Sequence, residues 1–274
     1  MTTYTHRVDN SLNGYIKFII DSFSNWEIIF VLCSRHLKTR YRRSFLGVFW
    51  SLLNPLLVTL VLWFVFVQVF SGRFEMPISY ASYVLSGTLF VTLIQGTLPQ
   101  IGDSITATGS ISAKARVNPL SLIYSVSLSG IISLCFGLVP LCIYSFLKGS
   151  LSAQVFLLLP WMIITFFLLV SLGIWIAIAY SIFNDLQNII AVLLILTSYV
   201  TPIFYPITML KGITRKIVEF NPLTVCLEIF RISTVSYGKI GVTSLVFLIS
   251  FILINFVVST RILFTRWPKM VNKL

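Results

Sequence analysis

Apolar residues run in long unbroken blocks along this chain, and polar residues collect in short segments between them. After Arg43 no charge occurs until Arg73, and the intervening "SFLGVFWSLLNPLLVTLVLWFVFVQVFSG" is mostly aliphatic and aromatic. Blocks of about 20 such residues cross a ~30 Å hydrocarbon core as helices. The pattern predicts six spans, at about 50–70, 78–99, 120–147, 155–183, 186–205 and 241–260. Pro55, Pro140, Pro160 and Pro202 lie inside or near the ends of these blocks, where neighbouring helices of a bundle satisfy the carbonyls that proline frees. No internal repeat or low-complexity linker divides the chain, so residues 1–274 read as one transmembrane domain.

Two of the polar segments have a pattern of their own. Over 25–43, turned at 100° per residue, Trp26, Ile29, Phe30, Cys33, Leu37 and Tyr41 share one face, and Arg35, Lys38 and Arg42 lie opposite. That is an amphipathic helix lying in the membrane interface. Arg40 falls on the apolar side, where its head either snorkels to water or meets a partner. Residues 207–240 are too polar to span and too apolar for a plain loop. Leu223, Leu227 and Phe230 recur at helical spacing, and Glu228 and Arg231, three apart, are placed to pair. A surface amphipathic hairpin would also fit this stretch.

Composition agrees with the spans. Apolar residues make up 57% of the 274 and mean hydropathy is +0.94. Charged residues make up 10%, against about 25% in a soluble domain. The net charge of +12 flanks the apolar blocks, so orientation and anionic lipid explain it better than nucleic acid does. Thirteen of the twenty Lys and Arg fall on the side of the termini, which places both termini in the cytoplasm. Five of the other seven gather between Lys211 and Lys239, an unusual concentration for an outside segment. The first 25 residues mix polar and apolar types without the cleavage pattern of a signal peptide.

Several chemistries are excluded. Two His and four Cys (Cys33, Cys135, Cys142, Cys226) show no metal-ligand spacing, and the cysteines read as small packing residues. None of the eight acids lies mid-span or forms a close pair, which disfavours a membrane enzyme and an ion-driven carrier. A phosphate-binding loop needs G-x-x-x-x-G-K-[ST]. The nearest approach is "YGKIG", where Ile240 follows Lys239 and Ser233 stands in the first glycine's place.

The order of parts resembles a known family. "RHLKTRYRRSFLGVFWSLLNPLL" presents a basic helix followed by Ser44, Leu46, Gly47, Trp50 and Pro55 at the approach to the first span. "IFNDLQNI" stands at the turn between spans four and five, "SYVTPIFYP" follows, and "NPLTVCLEIFR" comes last. In this order, over nearly the whole chain, these segments resemble the membrane subunit of type-2 ABC exporters, nearest to the branch that moves lipid-linked O-antigen, capsule or teichoic acid. The chain departs from the family at Asn184, where Arg is usual before Asp185, and at Val117–Asn118 before Pro119.

The resemblance implies an all-α integral membrane fold with six transmembrane helices, an N-terminal amphipathic interface helix and re-entrant helices before the last span. It implies a homodimer in the bacterial inner membrane, paired with two ABC ATPase subunits that bind ATP and Mg, with no cofactor or metal in this chain. Arg35, Lys38, Arg40, Arg42 and Arg43 would meet the headgroup of a polyprenyl-pyrophosphate-linked glycan, most simply O-antigen. The polar stretch 100–118 would be a loop carrying the ATPase coupling element, broken at Gly109–Ser110 and capped by Ser112, with Lys114, Arg116 and Asp185 taking part. The aromatic residues Trp63, Phe66, Tyr80, Tyr83, Phe90, Tyr199, Phe204 and Tyr205 would line the translocation path. Asn221, Pro222, Glu228 and Arg231 would form the exit gate, with the 211–239 cations facing its water. Capsule, teichoic acid or small lipophilic drugs are the alternative cargoes on the same fold.

Overall fold

Each apolar block is helical, because at membrane depth the backbone finds hydrogen-bond partners only within itself. The computed structural model describes residues 12–41, 47, 49–69, 80–114, 117–147, 153–183 and 185–271. Helices α1 (Leu12–Ser24) and α2 (Trp26–Tyr41) precede α3 (Phe49–Val69), α4 (Tyr80–Lys114) and α5 (Pro119–Leu147). A short 3₁₀ turn, Ala153–Leu157, leads into α6 (Leu158–Tyr180), followed by α7 (Asp185–Val200). A second 3₁₀ turn, Ile207–Met209, then α8 (Gly212–Glu219), α9 (Pro222–Val235) and α10 (Val242–Val271) complete the chain. No strand occurs among the described residues. Among the described residues, four stretches are long and apolar enough to cross a membrane: Tyr80–Thr106, Pro119–Ile143, Gln154–Tyr180 and Val242–Pro268. Shorter apolar helices occupy Leu53–Leu62 and Asp185–Val200.

Helix α4 is the spine. Ile94, Leu98, Ile101 and Ile105 are all buried and recur at helical spacing down one face. Glycines on its neighbours admit them closely. A Cβ on Gly173 of α6 would stand 2.5 Å from Ile101 Cδ1. One on Gly102 of α4 would collide with the Tyr180 ring, and one on Gly130 of α5 with Thr97. Small residues at such contacts let membrane helices gain dispersion energy where no hydrophobic force drives them together.

Several boundaries depart from the sequence expectation. Helix α4 continues through Gly109 and Ser110 to Lys114, so the stretch read as a loop from Gln100 forms its last turns. Ile101 and Ile105 explain this, since their burial against α6 carries the helix past the apolar block. Ser112 accordingly lies inside a helix rather than capping one. Helix α7 stops at Val200, ahead of Pro202, whose ring and missing N–H disfavour continuation. Helix α10 runs on to Val271, because Leu263, Phe264 and Met270 stay buried beyond the apolar span.

The basic-terminus end of the bundle is closed by α1. Asn118 Nδ2 donates to the Phe18 carbonyl at 2.8 Å, and the Tyr15 hydroxyl lies 2.7 Å from Thr260 Oγ1. Helix α8 and the start of α9 stand at the opposite end.

Replacing Gly173 by valine should overfill the α4–α6 contact and lower stability by about 1–3 kcal/mol. Denaturant-titrated unfolding of the purified protein in mixed micelles measures this, and an unchanged midpoint would contradict the close approach.

Candidate functional site

The chain turns without helix between α7 and the Ile207–Met209 turn, and that bend needs donors. Buried carbonyls without partners are costly, and Thr201, Pro202 and Ile203 are all buried. Three side chains from distant elements supply the hydrogen bonds. Arg231 of α9 donates through Nη1 to Pro202 O at 2.8 Å and through Nη2 to Ile203 O at 3.1 Å. The Tyr83 hydroxyl of α4 reaches Tyr205 O at 2.7 Å, and the Tyr80 hydroxyl donates to Phe204 O at 3.1 Å.

Arg231 itself is fully buried. Its Nη1 also donates to the Tyr83 hydroxyl at 2.8 Å and to Glu228 Oε1 at 3.0 Å. Its guanidinium stacks 3.6 Å from the centroid of the Tyr83 ring, a cation–π contact strengthened by the absence of water. The spacing-based expectation of a Glu228–Arg231 pair is therefore met. The expectation that the 211–239 cations all face water does not hold for Arg231. Its planar fork serves several acceptors at once, so the interior uses it as a cross-link.

Helix α9 is positioned by the same logic. Asn221 caps it, its Oδ1 accepting from Leu223 N at 3.0 Å, and Pro222 occupies the first turn. Leu223, Leu227 and Phe230 are buried. Trp161 of α6 stacks on Phe230 at 4.5 Å and donates from Nε1 to the Cys226 carbonyl at 2.8 Å. Ser236 ends the helix in the left-handed region at φ 54°. Gly238 lies two residues on at φ +109°, a conformation that demands glycine, and a Cβ there would also stand 2.6 Å from Glu228 Oε2.

The aromatic residues read as one set divide in the structure. Tyr199 presents its ring outward at 64% exposure, and Tyr80, Phe204 and Tyr205 are half-buried. Tyr83 and Phe90 are buried within the chain, Phe90 against Trp161. The side chains of Trp63 and Phe66 lie outside the described residues. So do Arg42, Arg43 and Arg116, and the side chains of Ser112 and Lys114. Asp185 is exposed at the first turn of α7, where a carboxylate suits the helix dipole.

Helix α2 leans on α5 through Cys33, which is buried, while Trp26 and Phe30 stay 65% and 56% exposed. Arg35 and Lys38 point away from the bundle and are exposed. Burial, and next the charge of Arg35, hold the His36 imidazole below its usual pKa. Arg40 does something else. Its Nη1 donates to Ser133 Oγ of α5 at 3.0 Å and its Nη2 to Gly96 O of α4 at 3.4 Å. It reaches a cleft of about 320 Å³ shared by Trp50, Gly96, Thr97 and Ser133. Thr97 Oγ1 is buried there without a hydrogen-bond partner. The signal in the sequence was Arg40's place on the apolar face. Nothing in the sequence joined Arg231 to Tyr83, 148 positions away. Among the described residues no group of three His, Cys, Asp or Glu is placed to hold a metal ion.

Comparison with known proteins gives a consistent likeness. A model of the ABC-2 type transporter family matches residues 27–235. A Myxococcus xanthus protein named O-antigen export system permease protein RfbA is 27% identical over 220 residues, 76% of this chain and 80% of its own length. Two Klebsiella pneumoniae proteins of the same name are 26% and 28% identical, each covering 79% of this chain and 85% of the relative.

Arg231→Ala should leave Glu228 unpaired and the Ile203 carbonyl without its side-chain donor, costing about 3–5 kcal/mol. Tyr83→Phe removes one hydroxyl but keeps the ring under the guanidinium, costing about 1–2 kcal/mol. Thermal unfolding of the two purified variants tests this ranking; equal midpoints would mean that Arg231 is not the cross-link.

Proposed function

We propose that this chain, which belongs to the ABC-2 type transporter family, is the membrane subunit of an ATP-driven exporter of polyprenyl-pyrophosphate-linked polysaccharide, with O-antigen as the cargo. The coarser statements stand on the family and the helices. The chain is a multi-pass membrane protein and a transport subunit rather than a catalytic one, and its family implies an ABC ATPase as partner. The cargo rests on one observation, the likeness over about four fifths of the chain to three permeases named for O-antigen export.

In this reading six helices, α3 to α7 and α10, span the bacterial inner membrane with both termini in the cytoplasm. Two copies pair, each on one ATPase that binds ATP and Mg. The outward apolar residues of α7, among them Ile189, Val192, Leu196 and Tyr199, suit a second copy or lipid. The pyrophosphate of the cargo is drawn to Arg35, Lys38, Arg42 and Arg43, and Arg40 stands at the inner cleft behind them. The ATPase pushes on the end of α4, through Ser112, Lys114 and Arg116, and on the α6–α7 turn at Asp185.

The glycan then slides past shallow aromatic contacts. Tyr199, Tyr80, Phe204 and Tyr205 offer ring faces to sugar C–H groups, with Trp63 and Phe66 on α3. Tyr83 and Phe90 stiffen that wall from inside the protomer. Helix α9, held by Asn221, Pro222, Glu228 and Arg231, re-enters from the outside and closes the exit. Non-spanning backbone at that depth must be buried in protein or line water, which suits α9, whose side chains are buried along most of its length.

Changing Arg35, Lys38 and Arg42 together to glutamine should cut surface glycan at least about tenfold, the loss of more than one charge-assisted contact, while membrane insertion stays normal. Mild-detergent purification should bring down a stoichiometric protein with a phosphate-binding loop and a polyprenyl-pyrophosphate glycan. A chain that purifies alone, or a correctly inserted triple variant that exports normally, would overturn the reading.

A further inference from the structure

A second cleft, of about 700 Å³, opens at the α8 end of the bundle, between α8, α9, the 236–241 turn and the start of α10. Its volume falls in the range of small-molecule sites, about 300–1,000 Å³. It borders the proposed gate at Glu228, but Arg215, Glu219, Thr224 and Lys239 have no part in the proposed transport cycle.

Helix α8 sets its depth in the membrane. At 100° per residue, Ile213, Ile217 and Phe220 form one face, and they are 78%, 62% and 51% exposed. Arg215 and Glu219 form the opposite side and pair at 2.7 Å. Val218 points into the bundle. The neighbouring exposed residues at the top of α10, Val242 and Val246, are apolar as well. A short helix with apolar residues bare on one side and ions on the other rests at the boundary of acyl chains and headgroups. The cleft mouth therefore opens at headgroup level.

The charges inside are mixed. Arg215 and Lys239 are cations, and Glu219 and Glu228 are anions. Each carboxylate spends its Oε1 on an arginine, Glu219 on Arg215 and Glu228 on Arg231. Lys239 has no carboxylate within ion-pair distance among the described residues. Thr224 lines the same cleft, 1% exposed, and its Oγ1 has no hydrogen-bond partner. A buried hydroxyl in that state carries an unrecovered desolvation penalty, which a polar ligand would relieve.

These features select a ligand by elimination. A simple anion would meet two carboxylates. A metal cation would meet Arg215 and Lys239, and no set of three ligating side chains stands among the described residues. A neutral sugar would leave Lys239 without a counter-ion. A group carrying both charges satisfies all of them. We infer that this cleft binds the zwitterionic phosphoethanolamine headgroup of a membrane phospholipid. The phosphate lies against Lys239 and Arg215. The ammonium donates to the free oxygens of Glu219 and Glu228, and Thr224 completes the shell. The acyl chains leave past Ile213 and Ile217. The inference needs only that the chain sits in a membrane, so it survives or fails independently of the cargo.

The test is lipid retention by the full-length protein. Purified protein in nanodiscs of equal phosphatidylethanolamine, phosphatidylcholine and phosphatidylglycerol is moved to detergent, and retained lipid is counted by native mass spectrometry. Phosphatidylethanolamine should exceed each of the others about tenfold, as expected when a charge-assisted hydrogen bond is present for one ligand only. Phosphatidylcholine carries the same charges without ammonium N–H groups, and phosphatidylglycerol carries only the anion. Ser244→Trp, which fills the cleft from the first turn of α10, should abolish the preference. Lys239→Gln with Glu219→Gln changes one exposed and one half-buried side chain, neither in the helix-packing core, and should also abolish it, so the test survives if the tryptophan variant misfolds. Equal retention of the three lipids, a preference for phosphatidylglycerol, displacement of phosphatidylethanolamine by free oligosaccharide, or an unchanged preference in the paired glutamine variant would each overturn the inference.

Discussion

The carbonyls of the bend at Thr201–Tyr205 have to be bonded, and the upper half of the molecule is arranged around that need. A helix satisfies its own backbone, but a bend between α7 and α8 does not. Arg231, Tyr83 and Tyr80 bring donors to four consecutive carbonyls, from Pro202 to Tyr205. Doing so ties α4 to α9 and fixes α9 against α6, where Trp161 and Phe230 stack. A buried arginine is tolerated because nearly all its donors are used and Glu228 balances its charge. The same network leaves Glu228 Oε2 facing Gly238, so the core cross-link also shapes the turn at the mouth of the outer cleft.

The two ends of the bundle are chemically different, and each difference has a local cause. At the basic end, α2 carries cations on its outer side and sends one, Arg40, inward between α4 and α5. At the other end, α8 displays apolar side chains outward and an ion pair behind them. The middle is held by close glycine contacts along α4, with Gln95 Nε2 donating to the Leu194 carbonyl of α7 at 2.8 Å.

Much of the architecture was legible in the apolar pattern, because a chain in lipid has few ways to satisfy its backbone. The blocks became helices and the basic segment became α2. The errors have physical causes as well. The end of α4 was read as a loop since its composition is polar, but Ile101 and Ile105 bury against α6 and keep it helical. Arg231 was read as a water-facing cation because it was grouped with the other cations of 211–239 at an exit implied by the resemblance. Which side of α9 meets the core is set by Trp161, Tyr83 and Pro202, all distant along the chain. The aromatic residues likewise looked alike in sequence, and only packing separates outward Tyr199 from buried Phe90.

By itself, the amino-acid sequence determined that this protein is helical, lies in a membrane and gathers its positive charge in the segments that flank its apolar blocks. Hydropathy and charge act locally, through the transfer energy of each segment, so order along the chain suffices to read them. The tertiary structure alone decided which polar groups meet: Arg231 with Tyr83 and the 202–203 carbonyls, Arg40 with Ser133, and Thr224 with an open cleft. The Arg231–Tyr83 and Arg40–Ser133 pairings depend on how helices more than ninety residues apart cross. Crossing is set by the shapes of glycine and branched side chains in contact, and those shapes act only once the helices are side by side.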